Sequence, residues 1–155
     1  MGKLAGFVLG LLGTVPRIWA QDPNGSPQTN GPPGWMIGDF EDDYGNRFRV
    51  GADKWIQYPG SEFEVDTWVT SQRFLIARNA AANESASGLW TRIDWVELAG
   101  MAPYRWAFCF TAYRAASRTD AINTPAARTT SPRDGCSGYP FSRMKPAGPP
   151  VEPPR

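Results

Sequence analysis

The chain has 155 residues, a formal charge of +1, seven tryptophans, two cysteines and no histidine. So balanced a charge offers no global attraction for nucleic acid or an anionic membrane surface. The missing histidine removes the usual neutral-pH base, the commonest nitrogen metal ligand, and any Ser/His/Asp or Cys/His nucleophilic arrangement.

Met1-Gly-Lys3 precedes an uncharged run from Leu4 to Val15, and Ala20 stands before polar Gln21-Asp22. A basic start, a short apolar stretch and a small residue at a cut site describe a secretory signal peptide over residues 1–20. The run is too short to span a bilayer comfortably, so no transmembrane anchoring is expected. Loss of Lys3 and Arg17 leaves 14 basic against 15 acidic residues, a formal charge of −1. The expected location is exported, periplasmic or extracellular. Residues 21–34, rich in Pro, Gly, Asn and Ser, read as a flexible leader.

Residues 35–145 read as a single β domain. Trp35 to Phe40 fits a first strand, and Gly45-Asn46 turns the chain into Phe48 and Val50, which alternate with Arg47 and Arg49. Lys54 to Tyr58 is a third strand ended by Pro59-Gly60. In the fourth, Phe63 and Val65 oppose Glu62, Glu64 and Asp66, with a continuation through Thr67-Trp-Val69. Arg73 to Arg78 carries Phe-Leu-Ile, apolar on both faces, which argues for a central position or for cover over its back. Asn79 to Gly88 is a surface loop whose Asn83-Glu-Ser85 matches a glycosylation acceptor in form only.

The aromatic and β-branched stretches 89–98 and 104–113 predict an antiparallel pair at the centre. Period two places Trp90, Arg92, Asp94 and Val96 on one face of the first. On the second, Tyr104, Trp106, Phe108 and Phe110 face the core, while Cys109, Thr111 and Tyr113 lie opposite. Ala115 to Ile122 favours a short helix, with Ser117 and Asp120 spaced as a capping box. Cys109 and Cys136, the only cysteines, are expected to pair in an oxidising compartment and to tether the late coil across the back of the seventh strand. Tyr139, Phe141 and Met144 suit a last extended piece, and 146–155, half proline, reads as a loose tail. The fold expected is all-β: a small antiparallel meander barrel or strongly bent sheet of seven or eight strands, with one short helix and a disulfide-tethered C-terminal coil. A two-sheet sandwich is the rival.

Two resemblances follow. Leu89-Trp-Thr-Arg-Ile-Asp-Trp95, Trp106-Ala-Phe-Cys109, Ala112-Tyr113 and Asp134-Gly-Cys-Ser-Gly-Tyr-Pro-Phe-Ser-Arg143 resemble an uncharacterised family of small exported proteins from environmental bacteria. That resemblance covers residues 88–144, implies the Cys109–Cys136 bridge and carries no chemistry. Gly38-Asp-Phe40 with the Gly45-Asn46 turn is similar to the first strand of lipocalin-like and avidin-like barrels. Those families usually place Trp where this chain has Phe40. Their packing of that Trp on a late-strand Arg would map onto Phe40 and Arg143.

Arg92 and Asp94 beside Trp90, inside a barrel, would make a charge-paired floor next to an aromatic wall, with Trp55, Tyr58 and Trp68 adding ligand surface. Outside it they are an ordinary cross-strand salt bridge or a solubilising pair. Asp39, Glu41, Asp42 and Asp43 form the densest acidic group and a weak candidate for calcium, without a twelve-residue loop pattern. No cofactor is indicated. The leading functional expectation is an exported, non-catalytic binding protein for a small polar molecule, a glycan or an envelope component. A structural or inhibitory protein-interaction module is the alternative, and a small hydrolase using paired carboxylates ranks third.

Overall fold

The computed structural model describes residues 31–149. The expected signal peptide, most of the expected leader and the tail from residue 150 lie outside the described residues. Eight strands follow in chain order: β1 (Gly38–Asp42), β2 (Arg47–Val50), β3 (Lys54–Gln57), β4 (Ser61–Val69), β5 (Phe74–Asn79), β6 (Trp90–Glu97), β7 (Trp106–Ala115) and β8 (Ser142–Pro146). Each pairs antiparallel with its neighbour, and β8 pairs back onto β1, closing a barrel. Closure leaves no free sheet edge, and the sandwich is excluded. The first described element is not a strand from Trp35 but a 3-10 turn, Gly34–Met36, that drops Met36 into the core. Among the described residues no helix is long and apolar enough to cross a membrane.

Period two sorts the walls as expected through most of the chain. Phe40, Phe48, Val50, Trp55, Phe63, Leu75, Ile93, Trp95, Trp106, Phe108 and Met144 point inward and are nearly or wholly buried. An eight-stranded barrel has an interior just wide enough for side chains to fill or for one small ligand. In this barrel side chains fill it. Phe40 meets Trp106 at 5.2 Å between ring centroids, Trp55 meets Trp106 at 5.8 Å, Phe48 meets Phe108 at 5.3 Å, and Trp68 meets Trp95 at 5.5 Å. Edge-to-face contacts of this kind stabilise beyond the area they bury.

Three departures from strict alternation shape the barrel wall. The register shifts between Ile93↔Phe110 and Arg92↔Ala112, so Thr111 is an extra residue on β7. A second shift before Ala115 follows. The bulge reverses the faces beyond it: Tyr113, expected outside, packs inward against Phe63 and Phe110. A third bulge, between Val65 and Thr67, leaves Asp66 unpaired on β4 and puts Val69 outside.

Of the two arrangements its composition allowed, β5 has cover over its outer face. Phe74 and Ile76 form a cluster with Val69 and Ala121, and Ala121 belongs to α1 (Arg118–Asn123). Ser117 caps α1, its hydroxyl accepting from the Asp120 amide at 3.1 Å and donating to the Asp120 carboxylate at 2.7 Å. The salt bridge from Arg118 to Asp66, 2.7 Å, ties α1 to the β4 bulge.

Cys109 bonds Cys136 on the outer wall, beside Val96, Ala107 and Phe141. The 27-residue separation predicts roughly 3–4 kcal/mol from restriction of the unfolded chain. Within the tethered coil a Cβ on Gly135 would stand 2.2 Å from the Arg128 carbonyl oxygen, so no other residue fits that close crossing. Of the late residues, Met144 enters the core and Phe141 the outer cluster, but Tyr139 is 73% exposed. At the start of the Pro-rich tail, Ala147 donates to the Asp39 carbonyl at 2.9 Å, and Arg47 donates to the Gly148 carbonyl at 3.2 Å.

Candidate functional site

Trp90, Arg92 and Asp94 do not face the lumen. Register puts them on the outer wall of β6, under α1 and the coil that follows it. Arg92 grips Asp94 through two bonds, Nε to Oδ2 at 3.0 Å and Nη2 to Oδ1 at 2.9 Å, with the side chains 6% and 1% exposed. Nη1 of Arg92 donates to the carbonyls of Ile122 at 2.9 Å and Thr124 at 3.2 Å, satisfying the end of α1. Its guanidinium lies 3.8 Å over the Phe74 ring, and Thr111 donates its hydroxyl to Asp94. Trp90 packs against the same cluster. The polar floor expected inside the barrel is instead a sealed clamp holding α1 to the wall.

The other residues singled out as ligand surface also separate. Trp55 and Trp68 belong to the packed interior, and the Trp68 indole donates to the Ala52 carbonyl at 2.7 Å. Tyr58 is exposed, in a cleft of about 290 Å3 with Asp39, Arg47, Arg49 and Gly148. The four acidic residues do not converge, and among the described residues no group of three His, Cys, Asp or Glu could hold a metal ion. Arg49 binds Asp39 at 2.8 Å, and this hydrogen bond holds the Asp39 carboxyl below its usual range. Lys145 does the same to Glu41 at 2.9 Å. Asp42 accepts from the amides of Tyr44 and Asn46 to close the β1–β2 turn. Asp43 accepts from the Arg143 amide at 3.1 Å and from its Nε at 2.9 Å. Arg143 also lies 4.6 Å over Tyr104, so it packs there and not on Phe40, whose neighbour is Trp106. Asn83 is buried, exchanging two bonds with the Glu62 backbone at 2.9 and 2.8 Å, which occupies the amide a glycan would need.

Concave surface lies instead at the rim, around the turn from Leu98 to Arg105 that joins β6 to β7. The turn is held by Leu98 donating to the Arg105 carbonyl and Tyr104 donating to that of Met101, both 2.9 Å. On one side is a cleft of about 680 Å3 walled by Trp35, Leu98, Met101, Pro103, Tyr104 and Arg105. On the other is one of about 530 Å3 walled by Tyr44, Leu98, Met101, Arg133, Phe141 and Arg143. Tyr44 is 68% exposed, Met101 42% and Trp35 38%. Both volumes are in the range of small-molecule sites. Motif and periodicity single out none of Met101, Tyr44 and Arg133; the available signal is a methionine standing alone between Gly100 and Pro103 in a turn.

The fold and rim together define an all-β, closed, eight-stranded antiparallel barrel with a disulfide-tethered coil on its wall, consistent with a small non-catalytic binding module in general. Compared with protein-family models, curated proteins and solved structures, the chain matches none. Of the two sequence resemblances, only the barrel-type fold implied by the lipocalin-like and avidin-like one is seen, and no family is shown.

Proposed function

We propose that the protein is an exported, non-catalytic binding module that takes a small ligand at the rim clefts flanking the β6–β7 turn, not in the lumen. The observation that carries this reading is the contrast between a barrel interior closed by packed aromatic rings and an exposed Trp35, Tyr44 and Met101 around two concavities. Export accords with the basic-then-apolar start of the chain and with pairing of its only two cysteines. The two rim clefts and the Tyr58 cleft carry a single carboxylate each, Glu97, Asp43 and Asp39 in turn, so none supplies the pair that glycoside hydrolysis uses. A protein partner in the envelope is the second reading, favoured by the same exposed apolar side chains.

Fluorescence titration with the uncharged probe N-phenyl-1-naphthylamine tests the rim. Met101 is shared by both clefts, and Met101→Glu places a charge against their apolar walls. We expect affinity to fall roughly tenfold, in line with the value of one well-buried apolar contact, with no change in thermal midpoint. Unchanged affinity in this variant would remove the rim as the binding surface.

A further inference from the structure

We infer that the cleft between Tyr44 and the tethered coil is built for an anionic amphiphile, with an apolar body against Leu98, Met101 and Phe141 and its acidic group on Arg133. The inference rests on binding at the rim and adds the chemical class of the ligand.

Charge is the first reason. Two arginines line this cleft, but Arg143 is already held by Asp43 at 2.9 Å and stacked on Tyr104. Asp43 is the only carboxylate in the lining, so the pair leaves the cleft near neutral before Arg133 is counted. Arg133 is exposed and makes no ion pair among the described residues. Its neighbour Asp134 is engaged elsewhere: Ser131 donates its hydroxyl to it at 2.5 Å and Arg128 bridges to it at 3.2 Å. The Ser131 hydroxyl, with the Arg128 charge behind it, holds the Asp134 carboxyl below its usual range, so it stays ionised and bound to those partners. One arginine in the lining of this cleft thus has no counter-ion among the described residues.

Placement is the second. Arg133 sits in a turn closed by bonds from the amides of Asp134, at 3.2 Å, and Gly135, at 2.7 Å, to the Ser131 carbonyl. Phe141 donates its amide to the Pro132 carbonyl at 2.8 Å, locking the residue before Arg133 to the cleft wall. Cys136, three residues on, is bonded to β7. The backbone bearing the free charge is therefore fixed before any ligand arrives, which lowers the ordering cost of binding. A guanidinium fork pairs with carboxylate or sulfonate oxygens through parallel bonds. The chemistry points to a small soluble aromatic or short aliphatic acid.

The test uses two dyes that differ by one group: 1-anilinonaphthalene-8-sulfonate and N-phenyl-1-naphthylamine, which lacks the sulfonate. Arg133→Gln should weaken the sulfonate dye about fivefold, the scale of one partly exposed charge-assisted bond, and leave the neutral dye unchanged. Arg114→Gln, which removes an exposed arginine on β7 outside the cleft, should alter neither. If Met101→Glu weakens both dyes while Arg133→Gln changes neither, the rim binds but the anionic inference is wrong. Equal weakening of both dyes by Arg133→Gln would also overturn it. If the unaltered protein binds neither dye, or if neither variant has an effect, both the inference and the rim reading fall.

Discussion

Replacing Asp94 with alanine should lower the stability of the folded protein by about 3–5 kcal/mol, the usual cost of stranding one charge of a buried pair. Arg92 would keep its two bonds to the carbonyls of Ile122 and Thr124 but lose both bonds to a carboxylate in a setting that water does not reach. The loss should be read by denaturant unfolding, with the midpoint falling and the slope unchanged. Replacing both residues with leucine should recover most of the stability, because a buried ion pair rarely outperforms well-packed apolar groups of similar volume. The two results together separate a clamp from a ligand site. Stability within about 1 kcal/mol of the parent after the single change would mean that the pair is as accessible as an ordinary surface bridge.

Trp106→Ala should cost a similar amount, about 3–5 kcal/mol, the range for removing a large aromatic from a core. Trp106 touches Phe40, Trp55 and Phe108 within the barrel and Trp35 at its end, so its loss opens a gap in the middle of the ring lattice. Trp106→Phe is the sharper comparison. It keeps an aromatic ring and removes an indole N–H that, like that of Trp55, has no hydrogen-bond acceptor among the described residues. Removing an unsatisfied donor offsets part of the lost packing, and we expect the phenylalanine variant to lose less than half of what the alanine variant loses. Equal losses would mean that the indole nitrogen has a partner of its own.

How much of this is legible in the chain depends on the range of the forces involved. The inward row Trp106, Phe108 and the outward Cys109 follow from alternation alone, while the Phe-Leu-Ile run narrows its strand to a central position or a covered back without choosing between them. The cap at Ser117 is local chemistry three residues long. Alternation fails where register is set by the partner strand: nothing between Phe110 and Tyr113 marks Thr111 as an extra residue, so alternation assigns Tyr113 to the wrong face. The pairing of Arg92 with Asp94 can be read from their spacing. Which side of the wall they occupy cannot, because that depends on closure of β8 onto β1 and on α1 returning across β5 and β6. Asp39, Glu41, Asp42 and Asp43 look like one cluster along the chain, yet the pleat and the β1–β2 turn send them to four different partners. The rim site joins Tyr44, Met101 and Arg133 from three distant turns, and no short-range pattern connects them.

The most direct test of where this protein binds is a 1H–15N spectrum recorded during titration with 1-anilinonaphthalene-8-sulfonate. Binding at the rim predicts shifts at the backbone amides of Met101 and Arg133, while the indole N–H signals of Trp55 and Trp106 stay in place. Movement of those two indole signals, with the rim amides unmoved, would put the ligand inside the barrel and contradict binding at the rim.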